Sequence, residues 1–548
     1  MIEAFSHRAR RLRQGLNLSL ILILTLALLA PVLIMFYQGA LAPLSLFSHL
    51  WQTVLPHYLT NTVILGVSVV LLSSIFGGLS AFAMHFLPVV GAKYLRWLLL
   101  LPLAMPAYLV AYLYTDLFDY AGPVQRLLRD WFGWQSPADY YFFDIRTIGG
   151  AAVVIALVLF PYVYMLTRTA LENIDPKLLQ ASQTLGANHR RSIWRVVVPL
   201  TRPALAVSAT LVLMETLADF ATVQYFAVNT LTTAIYDTWL GYSDLATANA
   251  LASILLLIVF VVVVLEQRSR AGLNNQSQNL KLAQQMIAHH KLLLVFASVF
   301  CWLLVFLGFA LPAILLIVMA IKHSSFEQVI ALTSIGWNSV YVAMVAATVC
   351  VVLAMIFAFY QRFSLSKMRN TPILFASLGY AIPGTVLAMA LLSTFAPIDY
   401  WLNDLAVAFG FNRPGLVLSG TTFAVIFAFV VRFIAIANGT VKTGLEQVPE
   451  NLTKAAKSLG ASGSKTIRTV HLPLIKPSLF VAWLLVFVES MKELSAVILL
   501  RPFNFDTLST YIYQLISDEQ LEQGAIGAIL IVVFGLLPII WLNRKQEV

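Results

Sequence analysis

Two acidic pairs interrupt long apolar stretches. Glu215 and Asp219 lie in METLADF (214–220), and Glu489 and Glu493 lie in VESMKEL (488–494). A charged group facing lipid is costly, so such residues face protein or water and mark ion pathways, proton relays or ion pairs. Each pair is spaced i, i+4, which predicts that both carboxylates share one face of a helix. Oxygen ligands suit hard cations, whereas thiolates suit softer metals. The two cysteines, Cys301 and Cys350, fall in apolar segments with no metal-binding spacing. An acidic, thiol-free pathway fits a hard, highly charged metal ion, with Glu215, Asp219, Glu489 and Glu493 as transient ligands, since a transporter must release its cargo. The plainer reading is structural: Lys492 or Arg501 pairs with these groups and holds helices together. Proton carriage by the same four residues is a third chemistry, suited to a secondary transporter.

A second constellation is a polar, basic stretch that occurs twice. Residues 181–203 read ASQTLGANHRRSIWRVVVPLTRP, and residues 455–477 read AAKSLGASGSKTIRTVHLPLIKP. Gly186 matches Gly460, Pro199 matches Pro473 and Pro203 matches Pro477. Small residues permit close approach by another protein, the Gly permits a backbone turn, and the Pro pair stiffens the start of the next helix. Two equivalent loops suit a two-fold partner. The plainer reading, a basic loop that only orients helices, does not explain the matched spacing.

Composition says what must hold these residues. The chain has 548 residues, 60% hydrophobic and 11% charged, with mean hydropathy +0.84. A soluble domain carries about 25% charged residues, so this chain must be solvated largely by lipid. Spans need about 20 apolar residues. They are expected near 17–38, 61–84, 96–118, 148–168, 203–226 and 246–266, and near 292–321, 338–360, 372–395, 415–436, 477–500 and 524–542. Alternate loops are basic, with Arg190, Arg191, Arg195, Lys442, Lys457, Lys465 and Arg468 among them; the opposite loops hold Asp119, Asp130, Asp139, Asp399, Asp404, Asp518 and Glu519. That asymmetry predicts cytoplasmic N- and C-termini and explains the net charge of +10 without nucleic acid. The expected fold is an all-α polytopic membrane protein of about twelve helices in two six-helix repeats, related by a pseudo-two-fold axis along the membrane normal. The first repeat is 1–266 with its loop at 172–203, the second is 292–548 with its loop at 446–477, and 267–291 is a cytoplasmic linker. Asn61-Thr62 matches Asn338-Ser339, Pro106 matches Pro383, and TLTTAIY (230–236) resembles DTLSTYIY (506–513).

The duplicated loop resembles the EAA motif of binding-protein-dependent ABC importers, roughly EAA-x3-G-x9-I-x-LP. One copy supplies Gln180, Ala181, Ser182, Gly186 and Pro199; the other supplies Lys454, Ala455, Ala456, Gly460 and Pro473. The motif glutamate is Gln180 in one copy and Lys454 in the other. The segments METLADFATVQYF (214–226) and ESMKELSAVILLRPFNFDTLST (489–510) are similar to those of fused iron(III) permeases of the same importer class. The resemblance covers essentially the whole chain. It implies a type I importer permease of the bacterial inner membrane, a pair of identical ATPase subunits seated on the two loops, and a periplasmic binding protein delivering ferric ion. ATP would be used by the partner, with no cofactor in this chain and no enzymatic activity of its own. Thiamine, phosphonate or polyamine is the alternative cargo, and a proton-coupled six-plus-six transporter is the rival of another class.

Three tempting motifs have plainer readings. GASGSKT (460–466) lacks the Gly that a phosphate loop needs before its Lys, since Ser464 stands there. His289-His290-Lys291 reads as the basic flank of a helix, and Tyr108, Tyr112 and Tyr114 as packing or interface aromatics. The loops 119–147 and 396–414, with Arg501, are the expected docking surface for the binding protein.

Overall fold

The computed structural model describes residues 2–41, 43–270, 291–323, 326–364 and 369–546; most of the expected linker, including Lys281, His289 and His290, lies outside them, as does Lys367. The described residues are helical, with no strand among them. Among the described residues, eleven helices are long and apolar enough to cross a membrane. A twelfth span is the pair Ala92–Ala104 and Ala107–Phe132, bent by 92°.

The first half of the chain begins with α1 (Ile2–Ala40), α2 (Leu55–Phe86), α3 (Ala107–Phe118) and α4 (Ile148–Glu172). It continues with a short loop helix α5 (Pro176–Thr184), then α6 (Val198–Ala218), the short α7 (Leu231–Tyr236) and α8 (Leu245–Arg270). The second begins with the span Lys291–His323, here α9, and α10 (Phe326–Phe363). Then come α11 (Gly384–Ala408), α12 (Thr422–Glu446), the loop helix α13 (Glu450–Ser458), α14 (Leu472–Lys492), α15 (Leu508–Ser517) and α16 (Leu521–Gln546).

Lipid solvation inverts the usual helix pattern. On α2 the exposed stripe is Val63, Val67, Leu71, Ile75 and Leu79, one residue every turn. Its buried face is small or polar, with Gly66, Ser73, Gly77 and Ser80. Small residues let membrane helices approach closely, because lipid tails give apolar side chains no reason to turn inward. Gly77 shows the reason: a Cβ there would stand 2.5 Å from the Phe160 carbonyl oxygen on α4.

Four expected helices end or break earlier than apolar content predicts. The third span breaks at Pro106, which is extended (φ −62°, ψ 136°), and the ninth breaks at Pro383 in the same way (φ −56°, ψ 143°). The residue before each proline, Met105 or Ile382, is also extended, as the proline ring requires. The fifth and eleventh spans stop at Ala218 and Lys492 rather than running to 226 and 500.

The contacts divide the chain into two compact units that cut across the sequence repeats. One holds Met1–Pro43, Thr238–Ser253 and Ala331–Thr510. In it α1 lies along α11, and Asn249 Nδ2 donates to Gln38 Oε1 and to Ser393 Oγ, each at 2.9 Å. The other holds Leu44–Asp237, Ile254–Ile330 and Tyr511–Val548. In it α9 packs on α16 and on the start of the third span, with Trp302 Nε1 donating to the Val90 carbonyl at 3.0 Å. Each unit therefore recruits the first helix of one repeat into the helices of the other.

Candidate functional site: two helix breaks and two loops

The acidic pairs do not share a helix face. Glu215 lies in the last turn of α6, but Asp219 is the first residue beyond it, in extended backbone (φ −72°, ψ 120°). Glu489 lies in α14, and Glu493 is the first residue beyond that helix (φ −68°, ψ 121°). Each terminal carboxylate turns onward and accepts the N–H three residues later: Asp219 Oδ1 from Thr222 at 2.9 Å, Glu493 Oε1 from Ala496 at 3.1 Å. Each thus caps the short turn after the break, satisfying a backbone donor that has no helical partner.

The same polar frame holds both breaks. The Asp219 carbonyl accepts from Thr232 Oγ1 at 3.0 Å, and the Glu493 carbonyl from Ser509 Oγ at 2.8 Å. Asn61 Nδ2 donates to the Asn229 carbonyl at 2.9 Å, and Asn338 Nδ2 to the Asp506 carbonyl at 3.2 Å, both across 168 residues. Thr62 Oγ1 accepts from the Leu231 N–H at 3.0 Å, and Ser339 Oγ from the Leu508 N–H at 2.6 Å. The Asn-Thr and Asn-Ser pairs sit inside α2 and α10, not at their starts. Their side chains replace the backbone partners that an unbroken helix would supply, which is what irregular backbone at membrane depth demands. In the first repeat a small cavity beside the break is lined by Thr62, Thr216, Thr230, Thr232, Leu65, Leu217 and Leu255.

The second break carries three ion pairs. Arg432 Nη1 lies 3.1 Å from Glu493 Oε1, with both side chains buried. Lys492 Nζ lies 2.9 Å from Glu489 Oε1. Arg501 pairs with Asp506 rather than with either acid of the α14 pair. Sequence reasoning identified Lys492 but missed Arg432, a lone Arg in the apolar run FAFVVRFIAIA. The cost of an unpaired guanidinium at membrane depth was the signal available. Among the described residues, no three His, Cys, Asp or Glu side chains come together in a group that could hold a metal ion. The four acids expected as ligands therefore form no closed coordination shell here.

The duplicated loops fold alike. α5 ends in a left-handed Gly186 (φ +83°), and α13 in Gly460 (φ +78°). The N–H of Ala187 reaches back to the Ser182 carbonyl at 3.0 Å, and that of Ala461 to the Ala456 carbonyl at 3.0 Å, the wide loop that closes a glycine-terminated helix. Nothing lies within 4 Å of a Cβ placed at either glycine, so positive φ, not space, is what selects glycine there. A wide-turn segment then leads to Pro199 or Pro473 in the first turn of α6 or α14. Gln180, Ala181 and Ser182 lie on α5; Lys454, Ala455 and Ala456 lie on α13. Lys454 pairs with Glu450 one turn earlier, at 3.8 Å and largely exposed. Leu185 and Leu459, just before the glycines, are each 88% exposed.

The opposite loops are ordered by polar ties. Asp399 takes the N–H groups of Val417, Leu418 and Ser419 at 3.1, 2.8 and 2.8 Å. Asp139 Oδ2 accepts from the N–H groups of Ser136 and Gln135, each at 2.8 Å; those bonds hold its carboxyl below the usual carboxylate range. Arg146 lies near Asp119 (3.9 Å) and Glu519 (3.5 Å).

Twin broken-helix modules, twin glycine-closed loops and a lipid-facing exterior describe the membrane component of a transport machine. Residues 73–271 and 351–547 each match the family described as "Binding-protein-dependent transport system inner membrane component", and the chain belongs to that family. It is a multi-pass inner-membrane protein with the type I importer permease fold in two repeats. It is 25% identical over 500 residues, 89% of each chain, to the Fe(3+)-transport system permease protein FbpB 2 of Haemophilus influenzae. It is 26% identical to the ferric transport system permease protein FbpB of Actinobacillus pleuropneumoniae, over 95% of this chain and 76% of that one. A shorter match, 32% identical over 33% of this chain and 72% of the relative, is to the molybdenum transport system permease protein ModB of Escherichia coli.

Proposed function

We propose that this chain is the permease of an ATP-driven importer that takes ferric ion from a periplasmic binding protein and passes it to the cytoplasm by alternating access. The observation that carries the reading is the duplicated loop. Two helices of matched geometry each end in a left-handed glycine and offer a leucine to solvent. A leucine exposed to the same 88% at the matched position of both loops is a surface that one kind of partner could cover twice. Two identical ATPase subunits, one on each loop, are the partner that this duplication suits. ATP is hydrolysed there and not by this chain. Gln180, Ala181, Ser182, Gly186 and Pro199 form one docking element, and Lys454, Ala455, Ala456, Gly460 and Pro473 the other. With the loops cytoplasmic, both termini are cytoplasmic as well, and segments 119–147 and 396–414 receive the binding protein.

The breaks after α6 and α14 are the natural place for the pathway, because unwound backbone at membrane depth belongs where it lines a cavity or is enclosed by protein. Glu215, Asp219, Glu489 and Glu493 are then its acidic elements. Ferric cargo rests on the two relatives aligned along most of this chain. The repeats at 1–266 and 292–548, joined by 267–291, are the units of duplication. A second reading, the same machine with another cargo, draws on the local likeness to the molybdenum permease.

The test is reconstitution of the permease with its ATPase in liposomes, with ferric-loaded or empty binding protein outside. Ferric-loaded protein should raise ATP hydrolysis and deliver iron to the lumen. Stimulation without luminal iron would favour another cargo, and no stimulation at all would sink the iron assignment.

A further inference from the structure

His471 is the last residue of the segment that joins the second loop to α14, and it is fully buried. It meets α13 and α10 at once. Its Nε2 lies 3.3 Å from Thr453 Oγ1 on α13. Its ring stands edge-on to Phe359 and Phe363 of α10, with centroids 6.0 and 5.6 Å away, an arrangement that aromatic quadrupoles favour. Arg362, next to Phe363, reaches on to the end of α12. It donates to the Leu445 carbonyl and, at 2.7 Å, to the Val448 carbonyl, groups of the kind that a helix end leaves without internal partners. One imidazole thus stands between the loop helix and the loop-side ends of two spans. The first loop is built differently at the same positions. Val197 stands where His471 does, and Leu179 where Thr453 does. The stacked phenylalanines are kept, Phe82 with Phe86 at 6.1 Å and Phe359 with Phe363 at 6.2 Å. There a hydroxyl tie runs within the loop, from Ser182 Oγ to Ser192 Oγ at 2.7 Å. An apolar residue is therefore enough to fill the position, and the imidazole adds something that packing does not need.

This inference rests on the reading that an ATPase seats on α13. We propose that His471, as the neutral imidazole, is a positioning residue that carries ATPase closure from α13 to α10 and α12. Protonation undoes the joint. The imidazolium would carry an N–H on Nδ1, which meets no hydrogen-bond partner among the described residues, and a buried donor without an acceptor is costly. The charges nearby are also cationic. Arg362 stands on α10, and Lys457 on α13 holds its Nζ 5.8 Å from the Phe363 ring. Arg468, on the same segment as His471, is another cation. The carboxylates of the adjoining elements are taken up elsewhere: Glu446 of α12 pairs with Lys442, and Glu450 of α13 with Lys454, all four exposed. A proton on His471 would therefore add like charge to a buried contact, and the contact loosens as pH falls.

The test compares wild type, His471→Ala and His471→Val/Thr453→Leu in the reconstituted complex; the double variant gives the second loop the first loop's residues. ATPase capture and stimulation of ATP hydrolysis by ferric-loaded binding protein are read at about pH 7.5 and about pH 5.5, on either side of the ordinary imidazole pKa of about 6.5. At the higher pH His471→Ala should lose stimulation about tenfold while capturing ATPase within about twofold of wild type. The double variant should regain the stimulation, and should keep more of it than wild type on acidification, because no proton can enter its joint. Full stimulation in His471→Ala overturns the proposal. So does a loss there that merely follows lost capture, since the residue would then only hold the loop's shape. An acid loss of the same size in wild type and the double variant overturns the role of the neutral imidazole. A wild-type complex that captures no ATPase fails the docking reading itself, and this inference with it.

Discussion

The break after α6 and the break after α14 are two solutions to one problem. Both must stop a helix at membrane depth and satisfy the backbone groups set free. Both do so with a side-chain cap on the next turn and with an Asn and a hydroxyl residue from α2 or α10. At the second, a buried ion pair between Arg432 and Glu493 joins α12 to the break, and Val158 stands at the matched position of α4. The polar frame is therefore what the fold requires, and the Arg432–Glu493 pair is an addition that one repeat carries. Features kept in both copies answer to backbone chemistry and docking.

The largest effect that would sharpen this contrast is on stability. Arg432→Met leaves Glu493 buried and without its guanidinium, at a cost of about 3–5 kcal/mol. Arg432→Met/Glu493→Gln removes both charges and should recover most of that loss. Thermal unfolding in lipid nanodiscs measures both. If the single variant melts with wild type, the pair contributes nothing to folding and the contrast between the breaks is only one of charge. Next comes assembly: Leu185→Asp and Leu459→Asp should each weaken ATPase capture by about 2 kcal/mol or more, as removing an anchor residue does. Pull-down and ATPase titration read this, and a normal complex with both leucines replaced would break the docking assignment.

How far the sequence carried differs between these elements. The loops were legible to the residue, because positive φ and helix closure leave a glycine where only glycine is at ease, and duplication repeats it. The span count was legible because lipid imposes length and apolarity. The breaks were not. METLADF and VESMKEL carry no proline or glycine to stop a helix, and i, i+4 spacing reads as one continuous face. What holds the chain after α6 and α14 is non-local: Thr232 and Ser509 bond the Asp219 and Glu493 carbonyls, and Asn61 and Asn338, 168 residues from their partners, bond the carbonyls of Asn229 and Asp506. Asn61 and Asn338 were visible as matched residues, but their partners were not. The exchange of first helices between the repeats was equally hidden, since the membrane-spanning parts of α1 and α9 are apolar and carry no mark of which neighbours they choose.

Smaller effects test the shared frame. Asn61→Ala and Asn338→Ala each strip one donor from a carbonyl beyond the break, that of Asn229 or Asp506, costing about 1–3 kcal/mol by leaving it unsatisfied. Because the geometry is common to both, the two losses should agree within about 0.5 kcal/mol, as read by thermal unfolding of each variant. A much larger loss at Asn61 would show that the first break, without a buried arginine of its own on α4, leans harder on the hydrogen-bonded frame.

The smallest expected effect concerns the glutamate that neither loop keeps. Lys454 pairs with Glu450 one turn earlier on α13, and both are largely exposed. Such pairs contribute about 0.3–0.5 kcal/mol, so Lys454→Glu should shift the unfolding of the permease by little, even though it replaces attraction with repulsion. Its informative readout is assembly. If the exposed leucines carry docking, Gln180→Glu and Lys454→Glu should change ATPase affinity by less than about threefold, and equally on the two loops, despite the larger change in local charge at Lys454. Tighter capture at one loop only would mean that the ATPase surface reads charge at that position. The two docking elements would then be as unequal as the two breaks, and the equivalence drawn from their backbone would stop at the backbone.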